Sequence, residues 1–326
     1  MNEAAGGAPD IKVRVAWLYY VEGLTQEQIA RALNISRMRV MRVLAAAREE
    51  GIVQIRIEGR TAGQVALERR LIARFGLSEA IVVPSPVDEG QVAAAVGHAA
   101  GTWLSDAVGE GMSVAVGWGA TLYMSLRAIG HRPLDGVSVV SLMGGMTHSL
   151  SVNPSAMARR VADAFGAECY QLTAPVLVSD PALREALWRE QGLRELIDRA
   201  RRADLALISV GDIGDGATLL RHKLLSRSEF ESLGEAGAVG DVLCQFIDAG
   251  GRLVDHPVNR RTMAVGLDEV RRIPRVVIAS GGLRKVSALR AALAATQAGV
   301  LITDEQAAIG LTQEDHAAGA SGRRQT

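Results

Sequence analysis

The stretch LTQEQIARALNISRMRVMRVLAAAREEGIV, residues 24–53, decides how the first part of this chain folds. Thr25 followed by Gln28 has the form of a capping box, in which side chain and backbone bond reciprocally at a helix start. Ile29, Ala32 and Leu33 recur at the helical interval and are expected to be the buried face of that helix. Asn34-Ile35 makes a tight turn, and Ser36 caps the next helix. Val40, Val43, Leu44 and Ala47 form the apolar face of this third helix, and Gly51 ends it. Upstream, a helix is expected from Lys12 to Glu22, with Val13, Ala16, Trp17, Tyr20 and Val21 on one face and Gly23 as a left-handed stop. Three short helices joined this way make a helix-turn-helix.

The polar face of the third helix carries Arg37, Arg39 and Arg42. From Arg31 to Arg48 there are five arginines and no acid. A helix of this size fits the major groove of DNA, and its first turns meet base edges. Arginine can bind guanine in bidentate fashion. Thr25, Gln26 and Ser36 stand at helix starts, where hydroxyl and backbone N–H groups hold phosphates. The competing reading is an ordinary three-helix surface with scattered arginines. Capping, turn length and one-sided charge agree on the nucleic-acid surface.

The whole chain of 326 residues has a formal net charge of zero, so basic character is local, not global. Hydrophobic residues make up 48%, enough for a sizeable core. There are only three lysines, Lys12, Lys223 and Lys285. Cys169 and Cys244 lack metal or redox spacing and read as two reduced thiols. None of the six histidines has metal-ligand spacing, so neither a metal nor a cofactor is expected. His148 follows a loop on the expected ligand side. No signal peptide or membrane span is read, and a cytoplasmic protein is expected.

From about residue 64 the pattern changes. Short apolar runs alternate with amphipathic helical stretches, which predicts an α/β domain with a mostly parallel sheet. The runs are 80–83, 113–116, 137–142, 205–210, 252–254, 276–279 and 299–303. Several lead into glycine-rich loops: Gly117-Trp118-Gly119-Ala120-Thr121, Met143-Gly144-Gly145, the loop from Gly211 to Gly216, and Ser280-Gly281-Gly282-Leu283-Arg284-Lys285. Loops at the carboxyl ends of parallel strands share one edge, where ligands bind in such folds. Lys285 after its glycine pair suits a phosphate or carboxylate, or is a solvated surface lysine. Asp241 either caps a helix or meets a ligand. Trp118 either stacks on a sugar ring or packs. Asp212 and Asp215 suit Asx turns. Arg260 and Arg261 either reach a ligand or take solvated or interdomain-paired positions.

Residues 24–30, 36–42 and 47–53 resemble the DNA-binding region of the SorC family of sugar-responsive regulators. Met38 and Met41 depart from the residues common at their positions, proline and serine. The likeness extends over nearly all the remaining chain, through Gly117 to Thr121, Leu142 to Gly145, Gly237 to Asp241, His256 to Arg261, Gly281 to Lys285 and Leu301 to Glu305. It implies a fold similar to sugar-phosphate isomerases and deaminases. It also implies that Gly117, Gly119 and Thr121 cradle a phosphate or other polar ligand end, that Lys285 neutralises that end, and that Asp241 accepts hydrogen bonds from sugar hydroxyls. With Trp118, Gly144, Gly145, Gly281 and Gly282, these form the expected effector site.

The expected organisation is a disordered start over 1–10, a winged-helix-like DNA-binding domain over 11–57, a linker over 58–63, an effector domain over 64–315 and a tail over 316–326. The expected function is a transcriptional regulator whose partners are a double-stranded DNA operator, a sugar or sugar-phosphate effector, and further copies of itself as dimer or tetramer. The alternative is a sugar-phosphate isomerase or deaminase with an appended helical module. The sequence offers no second group to complete an acid–base pair with Asp241.

Overall fold

The computed structural model describes residues 10–53, 59, 61–146 and 153–313. Internal contacts divide the chain into two units, the first ending at Gly59.

In the first unit, helices α1 (Ile11–Tyr20), α2 (Gln26–Leu33) and α3 (Arg37–Glu49) pack around Val15, Ile29, Val40 and Leu44. The capping box at Thr25 is formed, Asn34 adopts the left-handed conformation at φ 51°, and Ser36 caps α3. The expected face of α1 is corrected. Val15 and Ala16 are buried, whereas Val13, Trp17, Tyr20 and Val21 are exposed. This helix is apolar nearly all round, so periodicity could not choose its inner side. Ala32 is also exposed. Ile29 fills the seam, and Leu33 half-fills it. Ile52 and Val53, after the end of α3, are in bends.

The second unit runs α4 (Ala62–Phe75), β1 (Glu79–Val83), α5 (Val92–Ala107), β2 (Ser113–Val116), α6 (Ala120–Ser125), β3 (Ser138–Ser141), α7 (Pro154–Phe165) and β4 (Glu168–Tyr170). It continues with α8 (Pro181–Arg189), α9 (Gln191–Arg201), β5 (Leu205–Ile208), β6 (Val210–Asp212), α10 (Thr218–Arg221), α11 (Arg227–Glu235), β7 (Gly240–Val242) and β8 (Gln245–Ile247). It closes with α12 (Pro257–Arg261), α13 (Leu267–Val270), β9 (Arg275–Ala279), α14 (Val286–Thr296), β10 (Val300–Asp304) and α15 (Glu305–Thr312). Seven strands form one sheet in the order β1-β10-β9-β5-β2-β3-β4, every pair parallel.

Successive strand residues point to opposite faces, and both faces are apolar. In β5, Leu205 and Leu207 enter one core with α5, α6 and α7, while Ala206 and Ile208 enter the other with α4, α9, α14 and α15. β2 and β9 divide in the same way. A parallel sheet covered by helices on both sides requires such strands.

The structure departs from the expected elements in places. The run 205–210 breaks at Ser209 into β5 and β6, and β6 joins a separate antiparallel sheet, β6-β7-β8. Residues 252–254 form no strand, only an isolated bridge from Leu253 to Ile247. The short edge strand β4 was not expected. Nor was α11, although Ser226 and Glu229 spell its capping box. Among the described residues, no helix is long and apolar enough to cross a membrane.

Helices α5 and α6 approach so closely that two glycines of α5 have no room for a Cβ. One at Gly97 would lie 2.5 Å from the Thr121 carbonyl oxygen, and one at Gly101 would run into the Ser125 carbonyl. Glycine to alanine inside a helix ordinarily adds about 1 kcal/mol. At Gly101 the backbone clash reverses that sign, with overpacking costing about 1–3 kcal/mol. Urea unfolding should therefore show Gly101→Ala less stable than the parent. Gly192→Ala, where a Cβ meets open space, should be neutral or slightly stabilising.

Candidate functional site

Two surfaces carry chemistry, one in each unit. In the first, α3 holds Arg37, Met38, Arg39 and Arg42 exposed to solvent. The seam of Val40, Leu44 and Ala47 fixes which side of the helix faces out. Neighbouring charges are already satisfied: Lys12 pairs with Glu50 at 2.6 Å and Arg31 with Glu27 at 2.5 Å. Among the described residues, Arg37, Arg39 and Arg42 form no salt bridge. Three unpaired guanidinium groups on one helix suit a polyanion. The Ser36 Oγ accepts from the Arg39 N–H at 3.2 Å, which leaves its own proton free for a phosphate oxygen. The Thr25 hydroxyl is instead committed to Gln28 Oε1 at 2.9 Å. Gln26, the first residue of α2, is half-buried beside it.

The second surface lies at the carboxyl edge of the large sheet. From β2 the chain moves outward through β3 to β4, then returns to place β5 on the other side of β2. Strand order reverses between β2 and β5, and the loops leaving them diverge and open a crevice. A pocket occupies that position. Trp118 and Gly119 come from the loop after β2, Ser209 from the end of β5, Val210 and Gly211 from β6, Thr218 from α10, Asp241 from β7, and Lys285 from the turn after β9.

Local geometry explains several of these residues. Gly119 has φ 132°, which excludes side chains. A Cβ at Gly211 would collide with the Asp241 carboxylate, which lies across the paired strand. The turn from β7 to β8 places Leu243 and Cys244 at φ 55° and 58°, left-handed positions usually held by glycine or asparagine. Asp241 Oδ2 accepts from the Cys244 N–H at 3.0 Å and braces this turn. The Lys285 Nζ donates to the Val210 carbonyl at 2.8 Å and approaches Ser280 Oγ at 3.5 Å.

Burial sets the electrostatics. It pushes the Asp241 carboxyl up to about 6, against the Cys244 hydrogen bond and the Lys285 charge, which favour ionisation. Burial also lowers the Lys285 ammonium, opposed by the attraction of Asp212 and Asp241. The buried Cys244 thiol is pushed well above its ordinary range. Two opposite charges thus face one small crevice, each held partly against desolvation.

Of the residues expected to bind effector, Trp118, Gly119, Asp241 and Lys285 line the pocket together. Trp118 also belongs to the apolar core. Gly117 supports the loop; a Cβ there would meet Leu243 at 2.8 Å. Thr121 is buried against α5. Gly144 and Gly145 lie against Ala174 and Pro175, outside the lining. Gly281 packs on Asp304, whose carboxylate accepts from the Gly282 N–H at 2.7 Å. The loop after Gly211 leaves the small sheet, not the large one. Asp215 pairs with Arg227, Arg260 with Asp255, and Arg261 with Glu229. His148 lies outside the described residues. Ser209 and Thr218 were missed, since neither stands in a motif.

The family model described as "Putative sugar-binding domain" matches residues 60–312, and one for sigma-70 region 4 matches residues 15–50. The chain is 33% identical over 306 residues to the deoxyribonucleoside regulator of Bacillus subtilis, covering 93% of this chain and 97% of that protein. It is 30% identical over 303 residues to the erythritol catabolism regulatory protein EryD of Brucella abortus, covering 91% and 95%. The full-length sorbitol operon regulator SorC from Klebsiella pneumoniae superposes with a TM-score of 0.70 at 27% identity, over 93% of this chain and 98% of that one.

The raised Asp241 carboxyl has a signed consequence for stability. The folded chain holds this proton at a higher pH than the unfolded chain, so ionising the buried group costs stability as pH rises from the ordinary 3.8 through about 6. Asp241→Asn keeps a carbonyl acceptor for the Cys244 N–H but cannot ionise. Urea unfolding at pH 7.5 should show the variant more stable than the parent, by at most about 3 kcal/mol. At pH 5 the gap should shrink markedly. An equal gap at both pH values would contradict the burial argument.

Proposed function

The chain belongs to the SorC family of sugar-binding transcriptional regulators, and from that premise we propose that it binds an operator through α3 and tunes that affinity with a polyhydroxylated effector in the β2–β5 crevice. The convergence of Asp241 and Lys285 at the strand-order reversal is the observation that carries the effector assignment. Asp241 takes a sugar hydroxyl, and Lys285 takes an anionic or strongly polar end of the same ligand. A sugar or sugar phosphate fits this pair. Relatives named for erythritol, deoxyribonucleoside and sorbitol-operon regulation support a polyhydroxylated ligand.

The cavity is about 30 Å³, room for a water or two. A sugar therefore fits only when the lining, which includes Ala217, Thr218 and Leu219, gives way. Effector binding thereby selects among conformations, and any difference in effector affinity between conformations appears reciprocally as a change in operator affinity. A coupling of about 1–3 kcal/mol changes DNA affinity some 5- to 150-fold. One helix-turn-helix binds weakly, and paired recognition helices must meet half-sites about 34 Å or a multiple apart. The working species is at least a dimer, acting in the cytoplasm.

Two variants separate the two surfaces. Arg39→Ala should weaken operator binding and reduce the salt slope by about 1, while effector-induced thermal stabilisation persists. Lys285→Met keeps the aliphatic stem and removes the charge. It should abolish or strongly reduce the thermal shift produced by the best ligand from a panel of pentoses, hexoses, polyols and their phosphates, with effector-free DNA affinity unchanged. A full ligand response in Lys285→Met would remove the crevice from consideration.

A further inference from the structure

Helix α3 exposes two methionines between its arginines. Met38 is 61% exposed and Met41 43%. At about 100° per residue, Met38 and Arg42 point directly away from the Val40, Leu44 and Ala47 seam. Met41 and Arg37 lie to one side of that line and Arg39 to the other. The centre of the outward face is thus half apolar, and two of its three arginines flank it. A groove-bound helix directs its outward midline at base edges and its flanks at the phosphate walls. The most outward-pointing side chain in the first turn of α3, where base contacts concentrate, is therefore a methionine.

An exposed thioether gains little in water, but it has one apolar counterpart in the major groove. Thymine alone among the four bases displays a methyl group there. Methionine is unbranched and polarizable, and adapts to such a contact. The surrounding charge selects the occupant: three arginines free of salt bridges among the described residues and no acid from Arg31 to Arg48 favour duplex DNA over an apolar protein partner. We propose that Met38 determines operator specificity by packing on a thymine C5-methyl group, with Arg42 beside it on the midline reading guanine. Residues four apart on a helix lie about 5–6 Å apart, and base pairs rise about 3.4 Å. The methyl contact and the guanine contact therefore fall one or two base steps apart in each half-site.

This inference rests on the assignment of α3 to the groove, and its test keeps the two apart. The full-length protein is used to select binding sites from random duplexes, and each thymine of the selected half-site is replaced in turn by uracil, which lacks only the methyl group. Affinity is read by fluorescence anisotropy. The parent should lose about four-fold at one position, the effect expected for one buried methyl group. Met38→Ala should erase this thymine-over-uracil preference and leave the salt dependence intact, whereas Met41→Ala, on the flank, should keep the preference. Both side chains are exposed, so both variants fold.

A selected site whose thymines all accept uracil without loss would overturn the proposal while leaving DNA binding in place. So would an undiminished thymine preference in Met38→Ala. Sedimentation supplies another arm: if either variant lowers the association state, the methionines belong to a contact between copies and the proposal fails. Recovery of no preferred sequence would sink the groove assignment itself.

Discussion

The parallel alignment of all seven strands dictates where this chain can place chemistry. Every loop after a strand leaves by the same edge, so the side chains that follow β2, β5 and β9 are neighbours despite wide separation in sequence. A crevice forms only where consecutive loops turn apart, and the reversal between β2 and β5 is that place. The small antiparallel sheet then bends back over this crevice. It brings Asp241 alongside Gly211 and delivers the Val210 carbonyl to Lys285.

That arrangement costs stability. Asp241 and Lys285 both lose hydration, and Leu243 and Cys244 both occupy left-handed backbone that disfavours side chains with a Cβ. Such costs gather where function requires a fixed geometry. The surroundings support it: two large apolar cores lie on either face of the sheet, and the Asp304 carboxylate ties the loop after β9 through Gly282.

Local signals in the sequence survived into the structure. Thr25 with Gln28, Asn34 and Ser36 each act through bonds to residues within four positions, so their roles were legible in the string. The alternation of apolar runs and helices gave the parallel sheet for the same reason. The inner face of α1 was not legible, because Trp17 and Tyr20 are as apolar as the residues that are buried, and only α2 and α3 decide between them. The glycine pairs were visible, but their reasons were not. Gly144 is required by the Ala174 carbonyl and Gly281 by Asp304, both far along the chain. Asp241 was legible as a residue type. Its position depends on strand pairing and on a Leu243–Cys244 turn that has no turn-forming residue to announce it. Ser209 and Thr218 join the pocket purely through tertiary placement.

The hydrogen-bonding capacity of the crevice limits what it can recognise. An ammonium has three donors. Lys285 spends one on the Val210 carbonyl and directs another at Ser280, so one remains for a ligand. Asp241 spends Oδ2 on the Cys244 N–H, and Oδ1 remains. One free acceptor and one free charged donor, both lining the crevice, suit a hydroxyl and a polar oxygen of one ligand. An apolar ligand would strand both charges without compensation, which buried ions do not tolerate. On the proposed effector reading, the remaining specificity comes from neutral groups, Ser209, Thr218 and the Trp118 ring, and discrimination among sugars of similar hydroxyl pattern is a matter of those three contacts, while the Asp241–Lys285 pair sets only the polar class of ligand admitted.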